Sequence, residues 1–289
     1  MNFGIIGAGI VGTAIAIRLD RAGHRLVGVE TRSQNSYQRF CKYLQWEKLP
    51  LEEWIEDADL VFFTTQDGMI RTAAEELTRK RLYKPGQIWI HCSGSMSSRA
   101  LQIDSGLPVK YLSLHPLQAF AGIEQAVELL QGTHFGIEGD AEQMGFEIVN
   151  QLGGIPHRLD PQKKPLYHAG AVVASNYLIT LADLAVQLFE QAGIGREEAL
   201  ESLLPLIEGA LQNLRQAGIP QALTGPIARG DAEVVRSHLN QMPLNIEGVY
   251  RELGLATLEV GRAKKEMAGS EYPKDIWEEM NKLLKKRKG

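Results

Sequence analysis

Three glycines near the start of the chain have the types and spacing of a phosphate-binding turn. Gly7, Gly9 and Gly12 form G-x-G-x-x-G in FGIIGAGIVG, between an apolar strand and a helix. In this context the first glycine permits a tight turn, the second lets the backbone approach a pyrophosphate, and the third lets the helix pack against the strand. The helix start also offers unpaired N–H groups to phosphates. The pattern therefore predicts a dinucleotide-binding site.

The end of the second strand, VGVETRS, bears on which dinucleotide is bound. An acid at this strand end suits the ribose 2′-hydroxyl of NAD, whereas an arginine suits the 2′-phosphate of NADP. Glu30 and Arg32 offer both, but we place Thr31 at the strand tip, where Thr31, Arg32 and Ser33 form a pocket for a phosphate. The sequence favours NADP, with NAD as the alternative. The predicted cofactor-binding residues are Gly7, Ala8, Gly9, Ile10, Val11, Gly12, Thr31, Arg32, Ser33, Thr64 and Thr65.

Two histidines are the candidates for proton chemistry beside the dinucleotide. Hydride transfer to a carbonyl or imine needs a proton donor within hydrogen-bond reach, and histidine titrates near neutral pH. His115 follows the apolar run 111–114 in YLSLHPLQAF, where we expect the strand to break at His115-Pro116. His168 stands near the start of a long helix. We predict that one of them donates the proton or orients the substrate, and a structural role for each stays open.

Polar residues elsewhere are the candidates for holding a substrate. We predict that Ser93, after the strand in IHCSGS, and Asn176 bind a substrate oxygen, and that Gln118 and Arg229 contact the substrate. An arginine fork suits an anionic group. Two local roles stay open: Ser93 as a helix cap, and Arg229 as the partner of Asp231 beside a turn. No close set of His, Cys or acidic residues has ligand spacing, so no metal site is predicted.

The elements that must position these residues alternate between strands and helices in the first half of the chain. We predict strands at 3–6, 26–30, 60–65, 88–92, 109–114, 133–137 and 155–159. We predict helices between them at 10–22, 36–46, 69–80, 96–103 and 142–152. Such alternation indicates a mainly parallel sheet with helices on both faces. It places the candidate residues at the carboxyl ends of the strands, where ligands bind in open α/β sheets.

The strands stop where glycine, proline and lysine mark a boundary near 161–165. Beyond it only helices are predicted, at 166–192, 196–217, 220–229, 231–240 and 243–267, with Thr224 capping the third. The expected fold class is α/β: an N-terminal Rossmann doubly wound parallel sheet over residues 1–160, followed by an all-α domain over residues 161–289 that binds substrate or dimerises.

Composition excludes several functional classes. The 289 residues carry a formal net charge of −4, which gives no support for nucleic-acid binding. The only two cysteines are far apart, and the N-terminal segment is unlike a signal peptide, so a reducing cytoplasm is expected. The apolar stretch 169–189 contains Asn176, Asp183 and Gln187, which predicts a buried helix rather than a membrane span.

Four segments in order, GIIGAGIVG, ADLVFFTTQD, IHCSGS and SLHPLQAF, resemble the Rossmann-like NADP-binding proteins that carry a C-terminal helical domain of unknown function. The segments YHAGAVVASNYLITL and LTGPIARGDAEVVRSHL resemble that helical domain. The wider group is the 6-phosphogluconate dehydrogenase C-terminal-like and pyrroline-5-carboxylate reductase-like superfamily. It also contains ketopantoate reductase, 3-hydroxyisobutyrate dehydrogenase and prephenate dehydrogenase. The resemblance implies an NADP-dependent oxidoreductase, and a homodimer formed through the helical domain.

The resemblance is partial at the catalytic residues. The hydroxyacid dehydrogenases of this superfamily use a lysine and, four residues later, an asparagine, but Val172 stands four residues before Asn176. The position of Leu114-His115-Pro116 resembles the His-Pro of prephenate dehydrogenases. We expect hydride transfer between nicotinamide and a small carboxylate-bearing carbonyl, imine or hydroxy acid, in a cleft between the domains. Two alternatives stay open: a non-catalytic NADP-binding regulator or sensor, and a ketopantoate or pyrroline-carboxylate reductase-like enzyme.

Overall fold

The computed structural model describes residues 1–285. The chain forms two compact units, Met1–Tyr177 and Leu178–Gly289. The first unit contains the whole sheet and the first helical residues after it. The division proposed from sequence at 160/161 follows the end of the strands, and it stays a prediction.

The first unit is built on a seven-stranded sheet, and every strand predicted from sequence is present. The strands are β1 Asn2–Ile6, β2 Arg25–Glu30, β3 Leu60–Phe63, β4 Ile88–His91, β5 Lys110–Pro116, β6 His134–Gly139 and β7 Ile155–Arg158. Their order is β2-β1-β3-β4-β5-β6-β7, and all neighbours are parallel except β5 and β6. The order reverses between β1 and β3, which is the switch point where such sheets bind ligands.

Helices cover both faces of this sheet. They are α1 Ile10–Arg21, α2 Gln34–Cys41, α3 Leu51–Trp54, α4 Asp67–Lys80, α5 Ile123–Leu129, α6 Glu142–Gln151 and α7 Lys164–Ala174. Alternate residues of β1 face opposite cores, with Phe3 and Ile5 in one and Ile6 in the other. This alternation confirms the doubly wound arrangement. Neither α3 nor α5 was predicted from sequence, and the predicted helix at 96–103 is a short 3₁₀ helix, Ser98–Leu101.

The predicted break of β5 at His115-Pro116 is wrong. The strand continues to Pro116, because it pairs with the antiparallel β6 through His115 opposite Gly136 and Pro116 opposite Phe135. On its other side β5 pairs with β4 only as far as Ser113. Pro116 therefore lies where one neighbouring strand has already ended, and its missing N–H removes no ladder hydrogen bond there.

The described part of the second unit is helical. Its helices are α8 Asn176–Gln191, which begins in the first unit, α9 Arg196–Ala217, α10 Pro226–Arg229, α11 Ala232–Gln241, α12 Leu244–Met267 and α13 Lys274–Leu284. A small core joins the last three helices through Val235, Leu258, Met280 and Leu284. This confirms the all-α character of the C-terminal region.

Two helix predictions need correction, and one helix of the second unit was missed. The helix predicted at 166–192 is divided into α7 and α8, because Ser175 between them leaves helical geometry at φ −118° and ψ −67°. The helix predicted at 220–229 is confined to Pro226–Arg229, and its N-cap is Gly225 rather than Thr224, because Gly225 has a φ of +95° that suits glycine. Helix α13 was not predicted.

The apolar stretch within Pro161–Gln191 is long and apolar enough to cross a membrane, by length and composition alone. The prediction that it is a buried helix is wrong for this chain. Only 6% of its most apolar window is buried, and Leu166, Val173 and Ile179 are exposed. The prediction failed because the periodicity of apolar residues shows that a helix has an apolar face, but not whether the rest of the chain buries that face.

Candidate functional site

The glycine turn has the geometry that its sequence pattern predicts. Gly7 has a φ of +108°, and a Cβ there would lie 2.7 Å from the backbone of Thr64 and Thr65. A Cβ on Gly12 would lie 2.4 Å from the carbonyl oxygen of Gly7, so only glycine allows α1 to approach this closely. Gly9 has no atom within 4 Å of its Cβ position. The first and third glycines therefore shape the turn, and the second faces open space.

That open space is a cavity of about 880 Å³ at the carboxyl ends of β1, β2 and β3. Of the predicted cofactor residues, eight line it: Gly7, Ala8, Gly9, Thr31, Arg32, Ser33, Thr64 and Thr65. Ile10 and Val11 pack against the hydrophobic core instead. Thr64 Oγ1 donates to the Gly7 carbonyl at 2.7 Å and so braces the turn from β3. Sequence reasoning missed the apolar wall of Pro50, Leu51 and Met69.

The tip of β2 is Glu30, and the placement of Thr31 there is wrong. Strand pairing extends to Ile6 opposite Glu30, and the Gly7 N–H donates to the Glu30 carbonyl at 2.8 Å. Burial raises the pKa of the Glu30 carboxyl above its ordinary value. Ser33 is the N-cap of α2, where its Oγ accepts the Ser36 N–H at 3.2 Å. At the tip of β2 the cavity is therefore bordered by Glu30, Arg32 and the N-terminus of α2.

A second cavity, of about 580 Å³, lies between the end of β5 and α7, and we call it the His115 cavity. Four of the predicted residues line it: His115, Gln118, His168 and Asn176. All four belong to the first unit. Ser93 is not part of this lining, and Arg229 lies in the second unit. The catalytic and substrate-binding roles of these residues stay predictions.

The two histidines stand close together in this cavity. Their ring centroids are 6.2 Å apart, with planes inclined at 72°. The backbone of Gly94 reaches both rings, since a Cβ there would lie 2.6 Å from His115 Nε2 and 2.6 Å from His168 Cδ2. Nδ1 of His115 lies 3.1 Å from the hydroxyl of Tyr167. The cavity wall includes both His168 of α7 and Asn176, which follows the break at Ser175.

A buried lysine begins α7, the helix that forms one wall of the His115 cavity. Lys164 is fully buried, and its ammonium donates to Ser113 Oγ and, at 3.3 Å, to Glu138 Oε1. Glu138 also accepts the backbone N–H of Ser98 at 2.7 Å and the Ser98 hydroxyl at 2.8 Å. Burial lowers the pKa of Lys164 below its ordinary value, although Glu138 opposes the shift.

The pKa of His115 is lowered to about 4, chiefly by burial and further by the positive charge of Lys164 and by His168. Asp67 acts in the opposite direction. His115 is therefore a neutral imidazole near pH 7, which makes it an N–H donor or an acceptor rather than a standing cation.

The loop after β4 is held by hydrogen bonds within the loop and by one to Asp67 at the start of α4. Ser93 Oγ donates to Asp67 Oδ2 at 2.7 Å and accepts the N–H groups of Ser95 and Met96 at 3.3 and 3.2 Å. These bonds occupy the hydroxyl, but Ser93 caps no helix near Met96, because the 3₁₀ helix begins at Ser98 with Ser97 as its N-cap. The role of Ser93 toward a substrate stays a prediction.

His91 fixes the other side of the same loop. Its Nδ1 accepts the Ser93 N–H at 3.1 Å, so its Nε2 donates to the Ser97 carbonyl at 3.0 Å. Burial is the main cause that lowers the pKa of His91 to about 4. Both ring nitrogens are engaged, and His91 is a structural histidine.

Arg229 pairs with Asp231 at 2.8 Å, on the exposed surface of the second unit. This is the local arrangement that the sequence left open, and its role toward a substrate stays a prediction. Among residues 1–285, no group of three or more His, Cys, Asp or Glu side chains is placed to hold a metal ion.

Sequence reasoning missed Lys164, Tyr167 and Gly94. Lys164, Tyr167 and His168 occur in KPLYH at positions i, i+3 and i+4, which share one face of a helix. Ser113 and His115 are two residues apart on β5 and share one face of a strand. The two patterns match each other, but PQKKPLYH was interpreted as a domain boundary because of its prolines and lysines.

Two family models match the chain. One describes a Rossmann-like domain and matches residues 1–116. The other describes a domain of unknown function, DUF2520, and matches residues 133–257. The chain is a Rossmann-like protein with a DUF2520 domain. This confirms the resemblance drawn from its motifs, and the DUF2520 match runs from β6 into α12.

Solved structures share this fold. A candidate NADP oxidoreductase, BF3122 of Bacteroides fragilis, is 22% identical, with a TM-score of 0.70 over 89% of this chain and 98% of its own. Protein TM1727 of Thermotoga maritima is 25% identical, with a TM-score of 0.69 over 90% and 99%. A pyrroline-5-carboxylate reductase of Coxiella burnetii is 16% identical, with a TM-score of 0.60 over 94% and 99%. No curated protein matches the sequence.

The open space at Gly9 gives a direct test of the dinucleotide site in this Rossmann-like chain. Gly9→Ala is expected to leave the melting temperature nearly unchanged, because no atom lies near the added methyl. It should weaken NADPH binding roughly tenfold or more, because the methyl would meet the pyrophosphate. Thermal unfolding and fluorescence titration measure the two effects. Gly122→Ala, also at an open position, is the control, and equal NADPH affinity in both variants would contradict the assignment.

Gly94 gives a test of the histidine arrangement in the DUF2520 protein's His115 cavity. Gly94→Ala is expected to shift the NMR signals of both His115 and His168 and to cost about 1–3 kcal/mol of unfolding free energy, because the methyl overlaps both rings. NADPH affinity should not change. Gly170→Ala, in the same cavity with open space at its Cβ position, is the control and should leave the His115 signals in place. Unchanged histidine signals in Gly94→Ala would refute the packing described.

Proposed function

We propose that this protein is an NADP-dependent oxidoreductase that transfers hydride between nicotinamide and a small substrate held in the His115 cavity. The observation that carries the proposal is the pairing of two sites at one edge of the sheet. A glycine turn opens onto an 880 Å³ cavity, and a second cavity at the end of β5 holds two neighbouring histidines. Parallel strands bring both sites to the carboxyl edge.

NADP is favoured over NAD by the groups around the tip of β2. Arg32 supplies a cation, Ser33 and Ser36 supply hydroxyls, and the N-terminus of α2 supplies a partial positive charge. These suit the 2′-phosphate. The carboxyl of Glu30 would instead suit the ribose 2′-hydroxyl of NAD. The affinity for NADPH must therefore be compared with the affinity for NADH. The name of the Bacteroides fragilis relative, a candidate NADP oxidoreductase, supports the same choice.

The His115 cavity, where we propose that the substrate binds, is lined by polar side chains. His115 and His168 are the candidates for orienting the substrate and supplying a proton, and Asn176 and Gln118 are candidates for its oxygens. Within the first unit the described lining of this cavity includes no lysine or arginine. A carboxylate on the substrate stays part of this proposal.

Cofactor choice is tested by titrating wild type and Arg32→Ala with NADPH and NADH. Loss of a charged hydrogen bond should weaken NADPH binding about tenfold to a hundredfold and leave NADH binding nearly unchanged. Arg71→Ala removes an exposed arginine of α4 that pairs with Glu75 outside the cavity lining, and it is the matched control. If Arg32→Ala lost affinity for NADPH and NADH equally, the assignment of Arg32 to the 2′-phosphate would be wrong. No binding of either would remove the hydride-transfer proposal.

A turnover screen with the same protein then distinguishes an enzyme from a sensor. Small keto acids, other carbonyl compounds and cyclic imines are screened for oxidation of NADPH, with His115→Ala and His168→Ala beside the wild type. An enzyme should show turnover that a histidine variant lowers while NADPH affinity stays constant. Tight NADPH binding without turnover across these classes would favour the non-catalytic regulator. Turnover of the cyclic imine alone would favour the pyrroline-carboxylate reductase-like alternative.

We also propose that the protein is a homodimer through its helical region, in the cytoplasm, where its two free cysteines would stay reduced. Only Ala199 and Leu203 of the 22-residue α9 are buried in the single chain. A set of leucines on one face of this helix is exposed: Leu200, Leu204, Leu211 and Leu214. We propose that a second copy of the chain packs on this apolar face of α9. The same copy would also pack on the exposed apolar residues of α8.

Sedimentation velocity tests this proposal. The wild type is expected at twice the chain mass of 32.0 kDa. Leu204→Lys with Leu211→Lys should shift it toward the monomer, because two charges would enter an apolar interface. Ile155→Lys changes an exposed apolar residue on β7 of the first unit, and it should remain dimeric. A monomeric wild type would contradict the proposal.

A further inference from the structure

Two histidines on neighbouring strands meet on one face of the sheet, and we call them the His134–His157 pair. His134 begins β6, His157 lies in β7, and both side chains are exposed. Their ring centroids are 4.7 Å apart, with planes inclined at 15°. Nδ1 of His134 is in contact with Nε2 of His157. Two ring nitrogens from separate strands therefore come together at the surface of the first unit.

The strand register produces this meeting. Strands β6 and β7 are parallel, and Gly136 stands opposite His157. Because side chains alternate between the two faces of a strand, His134 lies on the same face as Gly136. His134 is therefore two residues along β6 from the position opposite His157, and on the same face. The backbone of two paired strands, rather than a loop, brings the imidazoles together.

The pair lies outside the His115 cavity. Gly136 also stands opposite His115 in the β5–β6 pair, and Tyr167 packs over this glycine, with its hydroxyl oxygen 3.0 Å from a Cβ built there. Neither histidine of the pair lines the cavity. Leu117, which does line it, donates its N–H to the His134 carbonyl at 2.8 Å. The pair is thus next to the proposed substrate site and distinct from it.

The basic residue beside the pair points away from it. Arg158 follows His157 in β7, so its side chain projects from the opposite face of the sheet. There its Nε lies 2.8 Å from Oε2 of Glu142 on α6. The guanidinium therefore does not stand where it would repel a cation bound by the pair.

Two converging imidazole nitrogens are ligands for a divalent transition-metal ion such as Zn²⁺, Ni²⁺ or Cu²⁺. An exposed imidazole can carry its proton on the outer nitrogen, which leaves the lone pair of the inner nitrogen for the ion. Metal–nitrogen bonds of about 2.0–2.1 Å place two such nitrogens roughly 3 Å apart. Because both side chains are exposed, they can rotate to this spacing without disturbing a core.

We propose that His134 and His157 form a two-histidine site for a divalent transition-metal ion. Among residues 1–285 no third His, Cys, Asp or Glu side chain is placed to join them, so water completes the coordination of the ion. Within the described sheet β7 is an edge strand that pairs only with β6. An ion held by both rings would therefore fasten β7 to its neighbour. The site is independent of the hydride-transfer proposal.

Calorimetric titration of the untagged full-length protein with ZnCl₂ tests the site. The wild type is expected to bind one Zn²⁺ per chain in the micromolar range. His134→Ala and His157→Ala should each weaken binding at least about tenfold, because loss of even an outer-shell partner of a metal ligand costs about 10–100-fold. His238→Ala is the matched control, since it removes an exposed histidine of the second unit that contacts the Tyr250 hydroxyl, and it should bind Zn²⁺ like the wild type.

Hydrogen exchange provides a second readout of the same site. With Zn²⁺ at about ten times its dissociation constant, the amides of β7 should exchange about tenfold more slowly in the wild type and at an unchanged rate in His157→Ala. No Zn²⁺ binding up to about 1 mM, equal affinity in wild type and His134→Ala, or equal affinity for Mg²⁺ and Zn²⁺ would overturn the proposal. Both variants alter exposed side chains, and circular dichroism checks that they fold.

Discussion

The buried ammonium of Lys164 is the interaction on which the rest of the His115 cavity depends. A charge removed from water must be paired and hydrogen-bonded, and breaking such a pair by removing one partner typically costs about 3–5 kcal/mol. Glu138 on β6 supplies the opposite charge, and Ser113 on β5 supplies a hydroxyl. Ser98 then satisfies the carboxylate. One cation thus ties two strands, a 3₁₀ helix and the first turn of α7 together.

The two ends of the candidate site are built by different physical means. The dinucleotide end depends on backbone, with a positive φ at Gly7 and a close approach at Gly12, and Arg32 adds a cation beside the turn. The His115 end depends on side chains whose protonation is set by burial and by neighbouring charges. Burial and a neighbouring cation keep His115 neutral, and the loop after β4 is fixed by His91. The turn at the first end is set by a short glycine pattern and braced by Thr64, whereas the second end is built almost entirely from residues far apart in the chain.

That difference explains how much could be predicted from the sequence. All seven strands and the glycine turn follow from local patterns, since alternation and glycine spacing are short-range signals. The antiparallel direction of β6 is a long-range property, and missing it made β5 seem to end before His115. Lys164 and Tyr167 were missed because their helical spacing has meaning only opposite Ser113 and His115. The exposure of α8 was missed because periodicity shows that a helix has an apolar face, but not whether the rest of the chain buries it.

Pro116 and the antiparallel partner of β5 together restrict how this strand can be aligned. A one-residue slip would turn His115 to the opposite face of the sheet and bring Leu114 to the face that holds Lys164. Because proline has no N–H, Pro116 suits a position beyond the last residue paired with β4. The register in which Pro116 leaves no ladder hydrogen bond unmade is therefore also the register that turns the His115 imidazole toward α7.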